Sequence, residues 1–171
     1  NAIKAGEAHN LELSVIREEI PGKFNALNAG LEHATTDLII TLDADTLLHK
    51  SAIRYLAARM DSAPKEVCAV AGSVLARNSR HALLAKIQEW DYFLGIASIK
   101  RLQGLYQGTL VAQGAYSIYK AECIREAGGW PDAIGEDIVL TWNLLKKSGL
   151  IYFEQIPCQY DILTYCIRPS P

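Results

Sequence analysis

Asp43 and Asp45 stand one residue apart in "DLIITLDADT" (37–46), directly behind the apolar residues Leu38, Ile39, Ile40 and Leu42. In an extended chain, residues i and i+2 point the same way. Two carboxylates so placed repel each other, and burying them unpaired is costly. A divalent cation removes both difficulties. Hard oxygen donors suit Mg2+ or Mn2+, and such an ion commonly completes its shell with substrate phosphates. The plainer alternative is an Asp-rich turn that caps the next helix, and a D-x-D pattern alone does not separate the two.

Three further stretches offer chemistry of their own. In "PGKFNALNAG" (21–30), Gly22 permits close backbone approach and Lys23 opens a helix. Free amide groups and a lysine at a helix start form an anion site, as for a diphosphate. A solvated lysine at an ordinary helix start is the simple alternative. In "GGWPDAIGEDIVLTW" (128–142), Glu136 and Asp137 begin a helix, where negative charge is favoured in any protein. A carboxylate held there could also serve as a general base towards a hydroxyl group. Trp130 follows a tight glycine turn; it offers either a flat apolar surface of the kind that faces sugar rings or a core side chain. In "QGAYSIYK" (113–120), Gly114 within a strand-like run indicates close approach by a ligand or another backbone, or else a bulge. His9, His33, His49 and His81 fall on separate elements without partner spacing, and no Ser-His-Asp or Cys-His arrangement emerges.

These residues need elements to hold them, and the pattern alternates between strand and helix. Strands are expected at 11–16, 37–42, 66–76, 109–119 (interrupted by Gly114) and 150–156. Helices are expected at 22–35, 50–60, 81–99, 120–129 and 136–149. Strands alternating with helices predict an α/β fold with a mostly parallel sheet flanked by helices. Ligands of such sheets collect beyond the carboxyl ends of the strands, which is where Asp43 and Asp45 fall.

The bulk composition narrows the classes. The 171 residues suffice for one domain with a real core, and 50% hydrophobic with 21% charged residues is a globular balance. A net charge of -2 lacks the basic excess of a nucleic-acid binder. Cys68, Cys123, Cys158 and Cys166 contain no CxxC pair, which argues against a zinc site or disulfide framework and fits a reduced compartment. No apolar run reaches the roughly 18–20 residues of a membrane span.

The order of the motifs is more telling than any one of them. GKxxALNxG, a strand ending in DAD, a GA strand, then GGWP followed by GEDxxLTxxL resembles the family 2 glycosyltransferases, over about Asn10 to Phe153. The likeness is greatest to the processive cellulose, hyaluronan, chitin-oligosaccharide and poly-N-acetylglucosamine synthases. The resemblance implies a GT-A fold and an inverting transfer from a nucleotide sugar, usually a UDP-sugar, to a growing glycan. By matching position, it assigns Asp43 and Asp45 to Mg2+ or Mn2+ and the donor diphosphate, and Lys23 to the nucleotide phosphates. It assigns Asp137 as catalytic base with Glu136 in support, and Gly114, Ala115 and Trp130 to the acceptor side. The helix at 81–99, with Glu89, Trp90 and Tyr92, falls where the synthases line the acceptor path, or is an amphipathic core helix.

Three parts of the family pattern are expected outside this stretch. They are the first strand with its base-binding aspartate, a Q-x-x-R-W motif (absent from 158–171), and flanking transmembrane helices. Residues 1–171 are therefore expected to be a single catalytic-domain fragment of an enzyme at the cytoplasmic face of the cell membrane, the fragment itself being soluble. Alone it is expected to bind donor poorly. Other readings are a single-transfer enzyme acting on a lipid or glycan, a non-catalytic sugar-nucleotide-binding module, and a nucleotidyltransferase on a similar layer fold. A binding module has no need of a base at Asp137.

Overall fold

The computed structural model describes residues 12–44, 46–76, 108–147 and 149–154, with 86–87, 90, 94, 98–99, 102–103 and 166–167. In chain order the elements are α1 (Lys23–His33), β1 (Leu38–Leu42), β2 (Thr46–Leu47), α2 (Ala52–Asp61), β3 (Val67–Ala71), β4 (Leu75–Ala76), β5 (Tyr116–Lys120), α3 (Ala121–Ala127), α4 (Glu136–Lys146), β6 (Leu150–Phe153) and β7 (Cys166–Ile167). The main sheet has the order β1-β5-β3-β6, and β2, β7 and β4 form a small second sheet.

The main sheet has most of its strands in one direction, as expected, but one reversed strand makes its pairing mixed. β5 runs antiparallel to both β1 and β3, whereas β3 and β6 pair in parallel. So β1, β3 and β6 share a direction and β5 alone is reversed. Strand–helix alternation predicts direction only when each connection is a simple crossover, and the antiparallel pairing of β3 with β5 departs from that condition. The reversal matters for function. It brings the amino end of β5, with Gly114 and Ala115 just before it, to the edge where β1 ends in Asp43.

Helices cover both faces of this sheet. Ala52, Leu56 and Met60 of α2 pack with Val67, Val70, Tyr116 and Ile118 on one face. Leu31 of α1, Ile124 of α3, and Leu140 and Leu144 of α4 pack with Ala69, Ala71, Tyr119, Trp130 and Ile151 on the other. Alternate residues of β5 serve opposite faces, as the pleat requires. In β3 the register shifts between Val67 and Ala69, which turns Cys68 and Ala69 to the same side.

Other expected strands are shorter or missing. Residues 12–19 form no strand, and Leu13, Val15 and Ile16 are exposed. A strand exists by pairing, and among the described strands nothing pairs with this segment. The 66–76 run breaks at Gly72, where an added Cβ would lie 1.9 Å from Cδ1 of the Tyr116 ring. The 109–119 run becomes a strand only at Tyr116; before it, Thr109 bonds to Ile151 of β6, and Ala112 and Gly114 bond to Thr141 and Asp137 of α4. The helix expected at 81–99 lies largely outside the described residues, as do Glu89 and Tyr92, and Trp90 is exposed. The expected helix ends are closer. Gly128 adopts a left-handed φ of 89° after α3, and α4 stops three residues before Gly149.

At the end of β6, Glu154 donates its amide to Ala71 O at 2.9 Å. Its carboxylate lies 3.7 Å from Arg59 Nε, and Arg59 stacks over the Tyr152 ring at 4.9 Å. Burial raises the Glu154 pKa above its ordinary value, and the Arg59 charge only partly opposes this. A raised carboxyl pKa contributes stability below the unfolded value of about 4.5, and that contribution is lost as pH rises through the folded value. Glu154→Gln is therefore expected to improve the melting temperature relative to wild type more at pH 8 than at pH 4. Thermal melts at the two pH values would check this, and a larger loss at pH 8 would show that the Arg59 pair outweighs burial.

Candidate active site

Three chain segments meet at the carboxyl edge of β1. The first is the turn after Leu42. Asp43 donates its backbone amide to Ala115 O at 3.4 Å and accepts the Thr46 amide on its own carbonyl at 3.0 Å. This hydrogen-bonded turn fixes a half-exposed carboxylate beside the start of β5.

The second segment is the start of α1. Gly22 precedes it with φ 137° and no side-chain cap. Lys23 Nζ reaches Asp43 Oδ1 at 2.9 Å and Glu136 Oε1 at 3.3 Å. Burial works to lower the Lys23 pKa, but the hydrogen bond and charge of Asp43, followed by those of Glu136, outweigh it and raise the pKa above the usual value. The ammonium is therefore charged throughout the neutral range.

The third segment is the start of α4, entered through Gly135 in a left-handed conformation with φ 78°. Asp137 accepts the Gly114 amide on Oδ2 and the Ile138 amide on Oδ1, at 2.9 and 2.8 Å. A carboxylate offers about four acceptor positions, so proton-accepting capacity remains. Gly114 fits because it lacks a side chain: an added Cβ would lie 3.1 Å from Lys23 Nζ and 3.7 Å from Asp137 Oδ2.

Lys23, Asp43, Gly114, Ala115, Glu136 and Asp137 are thus brought together, as their motif order implied. Asp45 lies outside the described residues. Trp130 is the departure. The residue is 3% exposed, within the core cluster, and its ring meets Tyr119 edge-on at 6.0 Å. It cannot offer a flat face to a sugar; the core alternative is the one the structure realises.

Two positioning residues went unassigned in the sequence. Thr141, fully buried, donates its hydroxyl to Asp137 O at 2.6 Å and accepts the Ala112 amide at 3.0 Å. It stands four residues after Asp137, on the same helix face, and ties the 109–115 segment to α4. Asn28 clasps the backbone of Trp130, accepting its amide and donating to its carbonyl, both at 2.8 Å. Gly129, with φ 81°, makes room for this clasp, since an added Cβ would fall 2.4 Å from Asn28 Oδ1. The signal lay inside the motifs already quoted: Asn28 is the asparagine of GKxxALNxG and Thr141 the threonine of GEDxxLTxxL.

Among the described residues, no group of three or more His, Cys, Asp or Glu side chains could hold a metal ion. Asp43 nevertheless has the chemistry of a Mg2+ or Mn2+ ligand: a hard, half-exposed carboxylate that already draws a cation to 2.9 Å. Mg2+ is commonly held by one or two carboxylates together with substrate phosphates and water, so no larger cage is required. No helix among the described residues is long and apolar enough to cross a membrane.

The chain is 34% identical over 140 residues to poly-beta-1,6-N-acetyl-D-glucosamine synthase of Staphylococcus aureus, covering 81% of this chain and 34% of that protein. It is 36% identical over 124 residues to the synthase of the same name from Staphylococcus epidermidis, covering 72% of this chain and 30% of that one. The chain thus spans about a third of the length of these relatives. Its fold is shared with a mannosyltransferase from Pyrobaculum calidifontis solved with GDP-Man and Mn2+. The TM-score is 0.67 at 22% identity, over 93% of this chain and 44% of that one. It is also shared with glucosyl-3-phosphoglycerate synthase from Mycobacterium tuberculosis in complex with Mn2+, UDP-glucose and glycerol 3-phosphate. There the TM-score is 0.54 at 17% identity, over 91% and 50% of the two chains. The fold is therefore the GT-A fold. The family pattern described as "Glycosyl transferase family 2" matches residues 3–128, and the chain belongs to that family.

Proposed function

We propose that this chain is the catalytic domain of an inverting, metal-dependent glycosyltransferase that moves a sugar from a UDP-sugar to a growing glycan. The observation that carries the proposal is the meeting of Lys23 and Asp43 with Glu136 and Asp137 across the β1–β5 edge. A phosphate-seeking cation, a metal-seeking carboxylate and a candidate base share one site. The relatives named as poly-beta-1,6-N-acetyl-D-glucosamine synthases make UDP-N-acetylglucosamine the first donor to try.

Asp137, held by the Gly114 amide, removes the proton from the acceptor hydroxyl as its oxygen attacks the anomeric carbon. The bond from that carbon to the diphosphate breaks, its electron pair leaves with UDP, and the configuration inverts. One base and no covalent intermediate suffice. Lys23 places positive charge where the departing diphosphate gains negative charge. A Mg2+ or Mn2+ ion held by Asp43 and Asp45 would supply further charge neutralisation to the leaving group. Gly114 and Ala115 line the approach to Asp137, with Glu136 holding Lys23 from the acceptor side. In this reading residues 1–171 are one domain of a longer protein working at the cytoplasmic face of the cell membrane through segments outside this chain.

Asp45→Ala in the full-length protein is expected to weaken UDP binding about tenfold or more in the presence of Mn2+, as loss of a charged ligand implies, with little change in its absence. Calorimetric titration would measure this. Equal affinity with metal in variant and wild type would remove Asp45 from the metal role.

A further inference from the structure

Lys23 does not point into open solvent to await a phosphate. Its ammonium lies between two carboxylates, 2.9 Å from Asp43 Oδ1 and 3.3 Å from Glu136 Oε1. The Glu136 side chain is only 14% exposed, and the helix start that carries it is fixed through Asp137 to Gly114. Asp43 is equally fixed by its backbone bonds to Ala115 and Thr46. Both carboxylates spring from anchored backbone, and the lysine side chain is the longest and most exposed of the three.

We propose that Lys23 is a built-in counter-cation for Asp43: it occupies the carboxylate in the donor-free protein and transfers to the diphosphate when metal and nucleotide arrive together, with Glu136 as the positioning residue that keeps the ammonium within reach of both. This inference rests on the donor and metal reading above. A free divalent ion arriving alone must displace or crowd a positive charge at Asp43 Oδ1, and nothing then receives the displaced ammonium except Glu136. An ion arriving with a diphosphate brings new acceptors for it. Metal and nucleotide binding are thereby coupled, and by linkage each strengthens the other to the same degree. The device disfavours metal without donor and keeps Asp43 from standing unpaired between turnovers.

The test uses Lys23→Met in the full-length protein, with Mn2+ alone and then UDP as probes. Free Mn2+ is followed by electron paramagnetic resonance, UDP by calorimetry, and folding by thermal melts. Lys23→Gln repeats the measurement with a polar side chain should the methionine variant misfold. The expected result is a split of signs. Affinity for Mn2+ alone rises on the order of two- to fivefold, the scale of a released exposed ion pair. Affinity for UDP in the presence of Mn2+ falls about tenfold, the scale of a lost charge-assisted hydrogen bond. Unchanged Mn2+ affinity with weakened UDP binding would overturn the counter-cation role and leave the donor-site reading standing. Wild-type protein that shows no Mn2+-dependent UDP binding would overturn both.

Discussion

Asp137→Asn in the full-length protein is expected to lower the transfer rate by about 10²–10⁴, the usual contribution of a general base, while metal-dependent UDP affinity stays within about twofold. The substitution is nearly isosteric, but it replaces the basic carboxylate with an amide that cannot take up the acceptor's proton. It also has a modest structural cost. Asp137 accepts amides on both oxygens, from Gly114 and from Ile138, and an asparagine can accept on only one. Thermal melts of the variant would show that the fold survives. Single-turnover rates and UDP titrations on the same preparation would then separate chemistry from donor binding. Transfer at an undiminished rate would take the base role away from Asp137. A parallel loss of UDP affinity would move its role to the donor side.

Trp130→Ala is expected to destabilise the fold by about 3–5 kcal/mol, the range for truncating a large buried aromatic side chain. In a domain of this size that is a fall in melting temperature on the order of 10 °C. The residue earns this expectation from its surroundings: 3% exposure, the edge-on contact with Tyr119, and the Asn28 clasp on its backbone. Differential scanning calorimetry would check it. An unchanged melting temperature together with a raised KM for the acceptor would restore the sugar-platform reading that the geometry rejects.

The two residues show how far the sequence could be read. Asp137, Asp43 and Lys23 were legible because each occupies a fixed place in an ordered set of local motifs. Strand end, helix start and glycine turn are all short-range features. What brings them together is not local. The Gly114–Asp137 bond depends on β5 running against its neighbours, and strand–helix alternation carries no signal for that reversal. Trp130 belonged to a motif that could serve either a site or a core, and only its burial in the core cluster, edge-on to Tyr119, decided. Thr141 and Asn28 act on partners 29 and 102 residues away, beyond the reach of any periodicity argument. The run at 11–16 has the alternation of a strand, yet a strand requires a neighbour to bond with, and the described strands supply none there.

The same logic accounts for what the strand ending in Asp43 does. β1 carries a carboxylate out of the apolar layer to a point where α1 delivers an ammonium and α4 delivers two further carboxylates. Asp43 and Asp137 are anchored at that sheet edge by backbone hydrogen bonds, a preorganisation that the proposed transfer of a charged leaving group would use.

The most direct test of this account is UDP release by the full-length protein across a panel of UDP-sugars, with Mg2+ or Mn2+, beside its Asp137→Asn variant. The account predicts metal-dependent release with one sugar and its loss in the variant. No release with any sugar from folded protein, or equal release from the variant, would contradict it.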